Sequence, residues 1–262
     1  MSYSFDPVYA RDRLVAEIRH YANEQGFKKV VVGISGGKDS TVTAALCARA
    51  LGKENVFGVL LPDGEQKDIE DSRWVCDALG IPNITINIED IHKEILLSVD
   101  MAVNLSDDDF FIIDHSEESN INVPPRIRMT VLRYITQCLG ARLAGTGNLS
   151  EMTVGYCTKD GDTSCDFSVL GGLTSVEVVQ VGLTMNELPK ELVLKTPSDG
   201  LCGMSDEEKL GVSYDDIHHY IRRDRLILDL EAKQKIDVMN DKSAHKRRDP
   251  KVMYNPEDAL WL

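Results

Sequence analysis

The sequence predicts an α/β fold, a doubly wound and mostly parallel sheet with helices on both faces. Three observations predict it. Short apolar runs rich in β-branched residues recur along the first half of the chain. Helical patterns separate them, and a Gly-rich turn follows the first run at once. Strands that alternate with helices form parallel sheets covered on both sides. At 262 residues, with no internal repeat, the chain suits one domain spanning 1–262.

In chain order, Val8 to Phe27 has a helical period, with Leu14, Val15, Ile18 and Tyr21 on one face. Lys29 to Ile34 reads as a buried strand and Ser35 to Ser40 as a turn. Thr41 to Leu51 reads as a helix of small residues. Asn55 to Leu61 is a second strand, Asp68 to Leu79 a polar helix, Ile84 to Ile88 a third strand and Ile91 to Val103 a helix. Asp107 to Asn120 crowds Asp, Ser and Glu and reads as a mobile loop. Pro124 to Leu139 reads as a helix with proline in its first turn, where a missing N–H costs nothing. Ala141 to Thr146 is a fourth strand. Beyond Gly155 the pattern is irregular: Thr158 to Asp166 reads as a functional loop, and two late helices fall near Tyr214 to Arg223 and Leu226 to Asn240.

Composition narrows the function. Apolar residues make up 42% and charged residues 27%, enough for a substantial core. The formal net charge of −14 disfavours a nucleic-acid partner, since the body of the protein repels phosphates. No apolar run approaches the roughly 18 residues of a membrane helix. The N-terminus shows no leader, so a cytoplasmic location is expected. The six cysteines form no Cys-x-x-Cys motif and read as reduced, mostly buried thiols. His20, His92 and His115 carry no motif and read as surface or packing residues.

The strongest local signal is Ser35-Gly36-Gly37-Lys38-Asp39-Ser40 between a strand and a helix. Paired glycines bring backbone N–H groups close to a ligand, and the helix N-terminus adds positive dipole. Ser35 and Ser40 add hydroxyls, and Asp39 suits a Mg²⁺ ion. The Walker A spacing is absent. In parallel sheets ligands sit at the carboxyl ends of the strands, so this turn and Thr146 to Glu151 are expected to meet there.

The hexapeptide resembles the pyrophosphatase loop of the N-type ATP pyrophosphatases, whose fold is of the adenine nucleotide α-hydrolase type. Five further segments resemble the NAD synthetases within that superfamily. They are Asn122-Val-Pro-Pro-Arg126-Ile-Arg128-Met129, Gly145-Thr146-Gly-Asn148-Leu-Ser150-Glu151, Gly155-Tyr-Cys-Thr158-Lys159-Asp-Gly161-Asp162 with Asp166 beyond it, Asp206 to Tyr214, and Ser243-Ala-His245-Lys246-Arg247. The resemblance implies ATP-dependent amidation of deamido-NAD by ammonia through an acyl-adenylate, giving NAD, AMP and pyrophosphate. It implies that Asp39 and Glu151 hold Mg²⁺ and, with Lys159, are catalytic. Gly33, Ile34, Ser35, Gly36, Gly37, Lys38, Asp39, Ser40, Thr146 and Ser198 would contact ATP. Arg126, Lys159, Asp166, His245 and Lys246 would contact deamido-NAD. It also implies a homodimer. Only about thirty residues precede the first strand, so no amidase domain is expected, and free ammonia or a separate supplier is the expected nitrogen source.

Plainer readings stand beside these. Asp39 reads equally as a helix cap, Glu151 as a loop acid, Arg126 and Arg128 as a solvated helix face, and His245 to Arg248 as a basic tail. Asp160 stands where the family has an aromatic residue, and Thr163 where it has glycine. Ser175 stands at the family's ATP-contacting Lys, with Lys190 and Lys195 as the candidate cations to compensate in part for it. The alternative functions are a catalytically weakened or non-catalytic nucleotide-binding homologue, or another ATP pyrophosphatase that amidates or thiolates.

Overall fold

The computed structural model describes residues 3–66, 69–104, 116–195, 205–223 and 228–248. Five parallel strands form one sheet in the order β3-β2-β1-β4-β5. They are β1 (Val30–Gly33), β2 (Val56–Leu60), β3 (Asn83–Thr85), β4 (Arg142–Gly145) and β5 (Phe167–Ser168). The chain builds outward from β1 to β3, then returns to the other side of β1 with β4. The order therefore reverses between β1 and β4, and the crevice beyond their carboxyl ends is where such sheets bind ligands.

The central strand shows why both faces are covered. Val30 and Val32 are buried in one cluster and Val31 in another, as the two-residue period of a strand requires. The first cluster joins them to α1 (Pro7–Gln25), α2 (Lys38–Leu51), α3 (Ile69–Leu79) and α8 (Ser175–Leu183). The second joins Val31 to Ile127 of α6 (Val123–Cys138) and to Leu143. α4 (Glu89–Asn104) packs beside α6, and α5 (Glu117–Ile121) leads into it. A third cluster unites α7 (Leu149–Val154), α11 (Tyr214–Arg222) and α12 (Leu230–Lys242) around Ile217 and Ile236. The short helices α9 (Lys190–Val193) and α10 (Asp206–Leu210) complete the set.

Several boundaries differ from the sequence reading. α2 begins at Lys38, not Thr41, because its first turn is polar and carries no apolar period. Residues 107–115 of the expected mobile loop lie outside the described residues, and its end is helical from Glu117. β5 and α8 lie where the pattern looked irregular, and α7, between β4 and Gly155, was not read as a helix, since a two-residue strand and a six-residue helix are too short to show a period. Of the five described cysteines only Cys47 and Cys76 are buried.

Gly155 ends α7 with φ 72°, and a Cβ there would lie 2.0 Å from Ser243 Cβ, at the end of α12. Gly155→Ala is therefore expected to destabilise by about 2 kcal/mol or more, combining left-handed strain with a clash. Urea unfolding measures it, and a change under half a kcal/mol would contradict the close packing of α7 on the end of α12.

Candidate functional site

The turn after β1 is held in shape by its own hydroxyls. Ser35 N–H donates to Ser40 Oγ at 3.2 Å, Gly37 N–H donates to Ser35 Oγ at 3.3 Å, and Ser40 Oγ reaches Gly37 O at 3.1 Å. Gly36 has φ 78°, and a Cβ on it would lie 2.8 Å from Asp71 Cβ and 2.9 Å from Ser72 N, so α3 closes against the turn here. Gly37 is the N-cap of α2, and no side chain caps that end. Its free N–H groups and dipole are available to an anion. Gly33 and Ile34 lead into the turn, and Ile34 N–H is taken by Val59 O.

Asp39 does not cap α2. Its Oδ1 accepts from Asn148 Nδ2 at 3.0 Å, and its Oδ2 pairs with Lys38 Nζ at 2.7 Å. Nor is Glu151 a loose loop acid. It is the third residue of α7, whose N-cap Asn148 exchanges reciprocal bonds with it: Glu151 N–H to Asn148 Oδ1 at 3.1 Å and Asn148 N–H to Glu151 Oε2 at 3.0 Å. Asn148, wholly buried, thus holds both carboxylates at once, one from the β1 turn and one from the β4 turn. Burial, and then the charge of Asp39, keeps the Glu151 carboxyl well above the usual carboxylate range. Lys38 and the Asn148 N–H act in the opposite direction.

A raised carboxyl beside a second acid is what a cation would relieve. Among the described residues no three His, Cys, Asp or Glu side chains gather as a metal centre. Mg²⁺ does not require three, since it is commonly held by one or two carboxylates together with substrate phosphates. Asp39 and Glu151, beside a phosphate-shaped turn, fit that mode.

Around this pair the structure gives specific partners to Lys38, expected as an ATP contact, and to Tyr214, which had no assigned role. Lys38 is 4% exposed, and its Nζ lies 5.3 Å from the centre of the Tyr214 ring. Tyr214 and Tyr156 both donate to Asp206, at 3.3 and 3.2 Å. The segment Asp206 to Tyr214 therefore forms a wall behind the two acids. Asn148 was legible in principle, because Asn148-x-x-Glu151 has the capping-box spacing. The Tyr214 contact spans distant parts of the chain and gives no local signal.

The other expected residues are placed as follows. Thr146 follows β4 directly, within the crevice turn. Arg126 Nε donates to Lys159 O at 3.3 Å, joining two expected dinucleotide contacts, while Arg128 Nε donates to Leu61 O at 3.0 Å at the end of β2. Thr158 anchors the following turn through Asn122 Oδ1 at 2.7 Å and Asp162 Oδ1 at 2.6 Å. Asp160, in the position of the family's aromatic residue, has φ 61°. Asp166 has both oxygens engaged within the chain, one by Arg133 and one by Leu143 N–H at 2.7 Å, which ties α6 to β4. His245 Nδ1 meets Lys242 O at 3.1 Å. Lys246 Nζ donates to Gly155 O and Cys157 O at 2.9 and 2.7 Å, and Arg247 donates to Met152 O at 2.9 Å. The stretch read as a basic tail is thus a bolt across the end of α7. His92, read as a surface or packing residue, pairs with Asp63 at 2.8 Å. Ser198 lies outside the described residues.

Ser175 is 3% exposed at the start of α8, and its N–H donates to Ser150 Oγ at 3.0 Å. Lys195 pairs with Asp71 at 2.6 Å, behind Gly36, and Lys190 opens α9.

Comparison with known proteins agrees with this geometry. The profile of the NAD synthase family matches residues 10–250. The NH(3)-dependent NAD(+) synthetase of Pyrococcus furiosus is 33% identical over 252 residues, covering 91% of this chain and 93% of its own. That of Archaeoglobus fulgidus is 35% identical over 248 residues, covering 92% and 94%. Among solved structures, the NMN synthetase of Francisella tularensis superposes with a TM-score of 0.85 at 27% identity, covering 95% of this chain and 99% of that one. An NH3-dependent NAD synthetase of Campylobacter jejuni gives 0.75 at 25%, covering 96% and 100%. A nucleotide-type crevice with paired acids, in a chain alike to these along nearly its whole length, leads to one conclusion: the chain belongs to the NAD synthase family.

Proposed function

We propose that the protein is an ammonia-dependent NAD synthetase, a ligase that uses ATP to amidate the nicotinate carboxylate of deamido-NAD. The observation that carries this reading is Asn148 tying Asp39 to Glu151 beside the Ser35–Ser40 turn. A carboxylate oxygen of the dinucleotide attacks the α-phosphorus of ATP, the α–β bridging P–O bond breaks, and pyrophosphate leaves. Ammonia then attacks the acyl carbon, AMP leaves, and a proton is released.

In this reading the N–H groups of Gly36 and the first turn of α2 bind the phosphates, while the Ser35 and Ser40 hydroxyls and the Gly37 N–H, bonded to one another here, keep the turn in shape around them. Asp39 and Glu151 would hold Mg²⁺, which would supply neutralising charge for the pyrophosphate. Thr146 and Ser198 contact ATP. Arg126, Lys159, Asp166, His245 and Lys246 face deamido-NAD, with Lys159 beside the reacting carboxylate. Lys246 and Asp166 would first have to exchange the partners they hold here.

The finer assignments are part of the same proposal. The chain acts as a single domain, in the cytoplasm and away from nucleic acid, which accords with its net charge of −14. No described helix is long and apolar enough to cross a membrane. A homodimer accords with the exposed Ile91, Ile95 and Val99 of α4, which fall on one side of the helix at four-residue spacing, since an outward apolar stripe marks an interaction face.

A second reading is favoured by the superposition on an NMN synthetase at a TM-score of 0.85. There the substrate would be the nicotinate mononucleotide, which presents the same carboxylate without the adenylate half. Purified protein with ATP, Mg²⁺ and ammonium, offered each acid in turn, tests both. The first reading expects NAD, AMP and pyrophosphate in equal amounts and a kcat/KM at least about tenfold higher for deamido-NAD, about 1.4 kcal/mol of discrimination. A preference for the mononucleotide selects the second. ADP and orthophosphate would overturn both.

A further inference from the structure

We propose that Lys38 is the resident cation of this site: its ammonium neutralises Asp39 when no nucleotide is bound and turns to the ATP phosphates when one is, supplying the charge that residue 175 does not. The inference rests on the phosphate-binding reading of the Ser35–Ser40 turn.

The site handles a triphosphate, yet Ser175 is closed off at 3% exposure with a short neutral side chain. Lys195 is held by Asp71 on the α3 side of Gly36. Among the described residues Lys38 is the cation placed among the acids themselves. Its Nζ is 2.7 Å from Asp39 Oδ2 and lies over the Tyr214 ring, and its charge acts on Glu151 as well. A buried ammonium is costly unless paired, and here the pair is with a carboxylate that suits a divalent ion. Mg²⁺ arriving at Asp39 and the ammonium already there repel each other. The ammonium sits on a flexible four-carbon stem, in the first turn of the helix whose N-terminus faces the phosphates, so it has an anion to turn to. Lys38 therefore opposes metal binding in the empty site and favours nucleotide binding in the filled one.

Those opposite signs separate this role from simple packing. Lys38→Met keeps an unbranched apolar stem and removes the charge. Titration calorimetry with Mg²⁺ alone is expected to show binding about tenfold tighter than wild type. Titration with ATP in saturating Mg²⁺ is expected to show binding about tenfold weaker, the scale of one charge-assisted contact. Lys38→Arg, which keeps the charge, is expected to recover most of the ATP affinity. Metal and nucleotide binding that fall together, or that both stay unchanged, overturn the proposal, as does Lys38→Arg behaving like Lys38→Met. The metal titration needs no amidation, so a wild-type protein that forms no NAD would overturn the synthetase reading and leave this one to be decided by calorimetry.

Discussion

Asp39→Asn and Glu151→Gln are each expected to lower kcat by at least about a hundredfold, the loss seen when a group that stabilises developing phosphate charge is removed. Glu151→Gln keeps its bond from Asn148 N–H, and Asp39→Asn keeps the one from Asn148 Nδ2 while losing the ion pair with Lys38. Neither is expected to unfold the protein, and Asn at position 39 relieves the repulsion that helps raise the Glu151 carboxyl. Steady-state rates at saturating Mg²⁺, read beside a thermal melt, decide the matter. Near-normal turnover in either variant would return that residue to a purely structural role.

Arg222→Met is expected to cost about 3 kcal/mol of stability, the low end for breaking a buried ion pair. Glu177 is fully buried as the third residue of α8 and is gripped by both arms of Arg222, with Nε at 2.7 Å from Oε1. It also accepts from Tyr3 Oη at 2.5 Å and from Thr174 N–H at 2.9 Å. Burial alone would raise this carboxyl. The bonds from Arg222, Tyr3 and Thr174 outweigh burial and hold it below the usual glutamate range. A group depressed in the folded state contributes stability above its unfolded value and loses it as pH falls through the folded one. The gap between wild type and Arg222→Met should therefore be largest near neutrality and narrow in acid, first as the stranded carboxyl, without Arg222 to hold it down, takes a proton, and further as the wild-type carboxyl does so below the usual glutamate range. Urea unfolding at pH 7 and pH 4 measures both. A loss under 1 kcal/mol at pH 7, or a gap that widens in acid, would contradict this account of α8.

How legible was this in the sequence? The sheet was legible wherever burial was complete. Val30 to Val32 and Val56 to Leu60 are continuous apolar runs because both faces of the sheet are covered, and a run of that kind between turn residues is a strong strand signal. β3 lies at the edge with all three residues exposed, which is why its ends blur. β5 has two residues and no pattern to read. In the site, Ser35 to Ser40 and Asn148 to Glu151 are local motifs whose backbone geometry follows from residue type. Their meeting was expected from the rule that ligands sit at the carboxyl ends of parallel strands, and the bond from Asn148 Nδ2 to Asp39 bears it out, but the contacts behind them depend on a tertiary path that no local pattern encodes. The same limit hid the Tyr214 ring beside Lys38 and the grip of Lys246 on the end of α7. In each case one long side chain crosses to an element far away in sequence.

The central claim is that the nicotinate carboxylate itself attacks the α-phosphorus of ATP. Deamido-NAD carrying ¹⁸O in that carboxylate tests it most directly. After one turnover with unlabelled ATP and ammonium, mass spectrometry of the products is expected to find one labelled oxygen in the phosphate of AMP, none in pyrophosphate, and one retained in the amide of NAD. Unlabelled AMP, or label in pyrophosphate or orthophosphate, would contradict it.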